Sequence, residues 1–375
     1  MRRRLGLLLA LVFALVAGRA DAANPLAAVQ ARAYIVENAS TGEVLAARNA
    51  DERVPIASIT KLITVLVVLD RASLDDVVVV DRRAAQVGES AIELRTGDRL
   101  TVHDLVEAAL IQSANNAADA LALHVVPSFP AFAALMNAKA RELGLDSSQF
   151  VRPDGLDAPG EWSTARDVTR LARIAMKNPF VRQTVQKERD TIAGGRVLDT
   201  WDDLLGEFPG LFGVKTGHTA LAGWSQVAAA RGRGVTVYAT ILGEPTRSQR
   251  NADLASLLAY GLAQYVVVDA VQGGRAYASA QLPYGRGRIA LVAPQGSRLV
   301  VRAGRPLVEQ VVAPAVVALP VRAGQRLGEV TVSRGGRVVA RRPLVASRPV
   351  GRPGLADRVG WYAKRAARHA LGWLP

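Results

Sequence analysis

The chain has 375 residues, half of them hydrophobic and 21% charged, with no cysteine. This is enough apolar residue to bury the cores of two ordinary domains, and it excludes a disordered chain, a disulfide scaffold and any thiol chemistry. A formal net charge of +14 points to anionic surroundings: nucleic acid, phospholipid head groups or an acidic polymer.

The first residues narrow that choice. "MRRR" is a basic start, "LGLLLALVFALVA" an apolar run, and Ala20-Asp21-Ala22 a small-residue cleavage pattern. Together they read as a secretory signal peptide over 1–22. The alternative is an uncleaved anchor, against which the run is short for a spanning helix. Export makes nucleic acid an unsuitable partner, and a location outside the cytoplasm is expected.

Next, "ARAYIVENASTGEVLAARN" reads as two strands joined by an Asn/Ser/Thr/Gly turn. "VPIASITKLITVL" reads as a helix that begins near Ser58 and is apolar almost all round. "LTVHDLVEAALIQ" opens with Thr101 three residues before Asp104, a helix cap. "NAADALALHVV", "FPAFAALMNAKARELGL" and "TARDVTRLARIAMKN" keep the 3.6-residue period. Strands return at "LFGVKTG", "GWSQVAAA" and "VTVYATILG", and "TRSQRNADLASLLAYGLAQY" closes the region as a helix. Strands at both ends with helices between predict an α/β fold of the α+β kind over 23–267, one antiparallel sheet with a helical subdomain.

From 268 to 346, short valine-rich runs alternate with Gly and Pro turns, which predicts a small all-β sandwich. Residues 347–375 read as the linker "SRPVGRPG" and an amphipathic helix. Leu355, Val359, Tyr362, Ala366, Ala370 and Trp373 share one face of it, with Arg358, Lys364, Arg365 and Arg368 on the rest. Such a helix suits an anionic membrane surface. The competing reading packs it against the β domain.

The chemistry begins with Ser58 and Lys61, three residues apart and so on one helical face. A serine hydroxyl becomes a nucleophile when a base removes its proton, and a desolvated lysine can be that base. The apolar residues Ile59, Leu62, Ile63 and Leu66 supply such surroundings. Alone, a Ser-x-x-Lys match is expected about once by chance in a chain this long. Ser113-Ala114-Asn115 lies between two predicted helices, where a loop can bring a hydroxyl and an amide to a cleft. Lys215-Thr216-Gly217 lies on a strand, where a lysine and a hydroxyl could grip a carboxylate and Gly217 could let a substrate backbone lie close.

Ser-x-x-Lys, Ser-x-Asn and Lys-Thr-Gly in this order are the constellation of penicillin-binding proteins and serine β-lactamases. The sequence resembles the low-molecular-mass penicillin-binding proteins that act as serine D-Ala-D-Ala carboxypeptidases. "PIASITKLIT", "GDRLTVHDLVEAALIQSANNAADALA", "FVRPDGLD", "GVKTGHTALAGW" and "LPVRAGQRLGEVTV" are similar to successive stretches of that family. The resemblance implies a serine β-lactamase/transpeptidase-like catalytic domain that removes the terminal D-alanine from peptidoglycan pentapeptide stems and is acylated by β-lactams. It implies Ser58 as the acylated nucleophile, Lys61 as its base and Ser113 as a proton relay. Asn115 would hold the peptide carbonyl, and Lys215 and Thr216 the carboxylate side. The backbone N–H groups of Ser58 and His218 would form the oxyanion hole. Arg250 would assist with the carboxylate, a part Arg247 could also take. No cofactor or metal is expected.

The chain departs from the family pattern in places. Asn116 stands where Asp is usual, Arg152 where Asn is common, and Asp154 where His is common. Trp201 and Asp202 lie in a region that usually carries asparagines. These affect fine substrate selection and leave the reaction type intact. The nearest rival activities are a D,D-endopeptidase with the same three motifs and a class A β-lactamase, which would favour Ser-Asp-Asn at the second motif. A non-catalytic peptidoglycan-binding protein is the non-enzyme alternative. The four histidines, without a G-x-S-x-G stretch or an H-E-x-x-H stretch, do not compose a Ser-His-Asp hydrolase or a metallopeptidase.

Overall fold

The computed structural model describes residues 26–371; the segment 1–22 read as a signal peptide, Trp373 and the side chains of Arg368 and Ala370 lie outside the described residues. The chain divides into compact units at Tyr265/Val266.

In the first unit, β1 (Ala33–Asn38) and β2 (Val44–Arg48) form a hairpin. Its turn is held by Asn38, whose Oδ1 accepts the backbone N–H of Ser40 and Thr41. A 3₁₀ turn over Ala57–Thr60 leads into α1 (Lys61–Leu69). The short strands β3 (Val77–Val79) and β4 (Arg99–Thr101) pair around α2 (Arg82–Ala85). The helices α3 (Val102–Leu110), α4 (Asn115–Val125), α5 (Phe129–Glu142), α6 (Ala165–Ala175) and α7 (Pro179–Thr184) follow. Thr101 and Asp104 complete the expected capping box at the start of α3. The hairpin β5 (Arg189–Ile192) and β6 (Arg196–Asp199) precedes β7 (Leu211–Thr219), β8 (Gly223–Gly232), β9 (Val235–Glu244) and α8 (Arg247–Ala263).

The main sheet has the order β2-β1-β9-β8-β7, antiparallel throughout. The N-terminal strand is thus zipped to the last strand of the unit, as strands at both sequence ends predicted. Alternate residues of a strand face opposite ways. Val36 and Val237 face α8, where Gly261 lets the helix backbone approach. Thr240 faces the other way, and its hydroxyl meets Thr169 of α6 at 2.5 Å. Both faces of the sheet are therefore covered, and β7 is left as a free edge beside the 3₁₀ turn.

The second unit contains β10 (Tyr265–Val271), β11 (Ala276–Gln281), β12 (Arg288–Val292), β13 (Ser297–Arg302), β14 (Val308–Val312), β15 (Arg326–Arg334) and β16 (Arg337–Ala346). A two-stranded sheet, β10-β13, and a five-stranded one, β11-β12-β16-β15-β14, share a core that includes Val271, Ile289, Leu291, Val330 and Leu344. The terminal helix is α9 (Leu355–Leu371). It touches the β strands' loops through Trp361, edge-on to Tyr284 at 5.7 Å, and through an Asp357–Arg286 ion pair at 2.8 Å. Trp361 was outside the expected apolar face. That face stays open, with Leu355 81%, Val359 66% and Tyr362 59% exposed. Among the described residues no single helix is long and apolar enough to cross a membrane.

The α8–sheet contact gives a stability test. Alanine at Gly261 gains about 1 kcal/mol of helix propensity. Its Cβ, however, would sit 2.7 Å from Cγ1 of Val36, a β-branched neighbour with little freedom to yield. Overpacking of this kind costs about 1–3 kcal/mol and outweighs the gain. Gly261→Ala is expected to lower the thermal midpoint followed by circular dichroism.

Candidate active site

Ser58 does not open an α-helix. It lies in the 3₁₀ turn, entered through Ala57 at φ +50°. Residues i and i+3 eclipse one another in this tighter helix, so Lys61 stands directly over Ser58. Lys61 Nζ donates to Ser58 Oγ at 2.7 Å, to Asn115 Oδ1 at 2.6 Å and to the Asp154 carbonyl at 2.7 Å. Its side chain is wholly buried. Burial pushes its pKa down to about 8, while the carboxylates of Asp154, Asp119 and Glu161 oppose the shift.

Each partner is itself held. Asn115 begins α4, its backbone N–H donates to the Ser90 carbonyl, and its Nδ2 donates to the Glu89 carbonyl at 2.7 Å, which aims Oδ1 at Lys61. The segment 151–161 is fastened to the nucleophile helix at several points. Thr60 Oγ1 donates to Glu161 at 2.9 Å and Thr64 Oγ1 to the Pro153 carbonyl at 2.7 Å. A Cβ on Gly155 would lie 2.2 Å from the Ala57 carbonyl oxygen, so only glycine lets the two backbones meet. Asp157 continues the fastening to the β7–β8 turn, accepting from Thr219 Oγ1 at 2.6 Å and the Leu221 N–H at 3.2 Å.

From the sheet edge, Lys215 Nζ donates to Ser113 Oγ at 2.8 Å and to the Thr216 carbonyl at 3.0 Å. It is buried, and burial together with the nearby Lys61 charge holds its pKa well below the usual lysine range. Gly217, besides lining the cleft, has a packing use. A Cβ there would fall 2.8 Å from the Ile56 carbonyl oxygen and 3.2 Å from the Ser58 nitrogen. The missing side chain thus lets β7 lie against the nucleophile turn. The ring of His218 is exposed and stacks on Trp224 at 4.1 Å.

These groups enclose a cleft of about 260 Å³ lined by Ser58, Ser113, Asn115, Thr216, Gly217, His218 and Arg250, with Glu89, Ser90, Leu156, Trp201 and Trp224 completing it. All the residues singled out in the sequence except Lys61 and Lys215 line it, and those two lie directly behind Ser58 and Ser113. Between the two arginines, Arg250 is the one at the cleft. It is buried, 5.7 Å from the centre of the Trp224 ring, and bonded to Asn251 and Asp203. Arg247 pairs with Asp203 and covers Trp201 at 5.0 Å.

Sequence reasoning missed the backbone part of this site. Ala57, Ser90 and Ser113 have φ of +50°, +42° and +61°, the left-handed region that non-glycine residues rarely enter. Ser90 and Ser113 line the cleft and Ala57 precedes Ser58, at a site where such strain tends to collect. No local sequence signal marks it.

Residues 19–246 match the D-alanyl-D-alanine carboxypeptidase family of S11 peptidases. The chain belongs to this family. It is similar to the D-alanyl-D-alanine carboxypeptidase DacC of Escherichia coli (strain K12), 31% identical with 93% of this chain and 91% of that protein covered. Among solved structures it resembles penicillin-binding protein 5 from Haemophilus influenzae, at 25% identity and a TM-score of 0.63, covering 86% of this chain and 98% of that one. It also resembles penicillin-binding protein D2 from Listeria monocytogenes in an ampicillin-bound form, at 32% identity and a TM-score of 0.57, covering 62% of this chain and 97% of that one.

The S11 departures noted in the sequence have structural roles. Arg152 and Asp154 are one ion pair, with Nε–Oδ1 at 3.0 Å and Nη2–Oδ2 at 2.6 Å. Asn116 uses both ends of its amide on the backbone of Ile92, accepting at 3.2 Å and donating at 2.7 Å.

The ion pair sits under the site and can be tested. Asp154 is fully buried and Arg152 reaches solvent. Removing one partner of a fully buried pair costs about 3–5 kcal/mol; partial exposure of the arginine reduces that to about 1–3 kcal/mol. Urea unfolding of Arg152→Gln is expected to show a loss of this size.

Proposed function

We propose that the protein is a serine D-alanyl-D-alanine carboxypeptidase that works through an acyl-enzyme on Ser58. The observation that carries this reading is the set of acceptors around Lys61. Asn115 Oδ1 and the Asp154 carbonyl can only accept. A neutral Lys61 amine keeps its two hydrogens on them, and its lone pair faces the Ser58 hydroxyl. Ser58 thus has a base already aimed at its proton.

Lys61 takes that proton as Oγ attacks the carbonyl carbon between the two terminal D-alanines. The backbone N–H groups of Ser58 and His218 receive the developing oxyanion. β7, as a free edge, accepts the extended peptide backbone beside it. Thr216 and Arg250 meet the terminal carboxylate, whose charge also favours the ammonium form of Lys215. Ser113 gives its proton to the departing D-alanine amine and takes one from the Lys215 ammonium, and the C–N bond breaks. Water then attacks the Ser58 ester, its proton passing through Ser113 back to Lys215, while the Lys61 ammonium returns its proton to Ser58 Oγ. A β-lactam acylates Ser58 in the same way.

The protein acts outside the cytoplasm, at the periplasmic face of the inner membrane. Support comes from the signal-like first residues and from the open Leu355, Val359 and Tyr362 face of α9, flanked by exposed Arg358, Lys364 and Arg365. That helix would lie on anionic lipid.

Wild-type protein is expected to take a covalent fluorescent-penicillin label that Ser58→Ala does not take. Mass spectrometry of a muropeptide pentapeptide should show loss of one alanine; cleavage of a cross-linked dimer in preference would establish the endopeptidase instead. Lys61→Ala should slow acylation by about 10²–10⁴-fold, the usual size of general-base catalysis. Since the amine is the reactive form, wild-type acylation should climb with pH up to about 8 and level off above it. Deleting 354–375 should release the protein from vesicles containing anionic lipid while leaving soluble activity; retained binding would move the anchor elsewhere.

A further inference from the structure

Asp119 has no part in the chemistry above. It lies on α4, four residues after Asn115 and so one turn below it on the same face. The residue is 1% exposed, and neither carboxylate oxygen has a hydrogen-bond partner among the described residues. An unpartnered carboxyl in such a place is costly to ionise and conspicuous for that reason.

Its neighbours differ from it. Asp154 is gripped by the Arg152 guanidinium and by the Leu156 N–H at 3.0 Å. Glu161 accepts from Thr60 Oγ1 and from the backbone N–H groups of Val151 and Arg152. Both have donors, although burial still pushes Glu161 up to about 7. Asp119 has none, so it is the carboxyl of this group that no hydrogen bond holds in its charged form. The charges that act on it are Asp154, Arg152 and Lys61. Lys61 in turn feels Asp154, Asp119 and Glu161, and lies beside Lys215. Other charged residues on the helices packed against α4 are engaged elsewhere. Arg82 and Arg83 of α2 are exposed, Lys139 of α5 pairs with Asp70 and Glu142, and His103, Asp104 and Glu107 of α3 form a group with Lys187.

We propose that Asp119 is a positioning residue of the hydrolytic reaction that acts through Lys61. Ionised, it holds the Lys61 ammonium; protonated, it releases Lys61 to serve as the base for Ser58. This rests on the reading of Lys61 as base. Burial and the charge of Asp154 push Asp119 up to about 8, the same range into which burial brings Lys61. Two buried groups in contact through charge then share their titration, and the protons leave as properties of the pair. Asp119 loses its proton in competition with Lys61 and thereby restrains formation of the free amine.

The sign of the effect is fixed. A neutral side chain at 119 withdraws a negative charge that favours the ammonium, so the free amine appears at lower pH. The test is the second-order rate of fluorescent-penicillin acylation of the full chain from pH 5.5 to 9.5. Asp119→Asn and Asp119→Ser should each move the midpoint of the rise down by about half a pH unit, with the profiles converging at the acid end, where wild-type Asp119 is itself protonated. Asp119→Glu, which keeps the charge, should restore the wild-type profile. An unshifted midpoint in the neutral variants overturns the proposal. So does failure of all three variants to fold, which would make Asp119 structural. Wild-type protein that takes no label, or labels at a rate independent of pH, refutes the Ser58–Lys61 reading instead.

Discussion

The structure turns on one desolvated amine. Lys61 leaves water at the start of α1 and receives its hydrogen-bonding capacity back from the 3₁₀ turn, the first residue of α4 and the segment 151–161. These contributors are distant in sequence, and the amine is where they meet. Its burial disfavours the ammonium. The carboxylates arranged behind it keep the group near the range in which a proton can be taken and returned. Thr60, Thr64 and Gly155 hold the segment 151–161, which carries two of these carboxylates, against the 3₁₀ turn and α1 without themselves lining the cleft.

A second constraint is backbone strain. Ala57, Ser90 and Ser113 occupy conformations that cost on the order of 1 kcal/mol or more each. They are maintained by the packing of α1 and α4 and by contacts such as Asn115 N–H to the Ser90 carbonyl. Where the backbones approach most closely, at Gly155 and Gly217, a Cβ would collide with main-chain atoms rather than with a movable side chain. The cleft is therefore shaped as much by backbone as by side chains, which suits a reaction in which backbone N–H groups receive charge.

Much of this was readable in the sequence, and for specific reasons. Periodicity located α3 through α6 and α8, turn residues located the β1–β2 hairpin, and the three motifs named the side chains that the fold gathers. The start of the nucleophile helix was misread because a 3₁₀ turn and an α-helix share the same apolar pattern over four residues. The purpose of Gly217 was hidden because close approach to Ile56 and Ser58 depends on a strand more than 150 residues away in the chain. Arg152 and Asp154 looked like independent departures from the S11 pattern; only in the fold are they one pair. Nothing in the sequence singled out Asp119, since no local pattern says that α4 is buried on every side there. The terminal helix was legible in its open face and not in its contact, because Trp361 belongs to neither the apolar stripe nor the basic one.

The place of β9 in the sheet has a consequence for how the protein comes into being. It lies between β1 and β8, so the N-terminal hairpin joins the rest of the sheet only after Glu244 has been made. Pairings this far apart in sequence form slowly, because a long loop must close before the contacts reward it. The helices between them can assemble from nearby residues beforehand. A chain halted at Gly232 would contain Ser58, Lys61, Ser113, Asn115 and Lys215 and still lack the strand that draws the two ends of the sheet together. It would carry every motif of the enzyme while the nucleophile waited for the wall it must face.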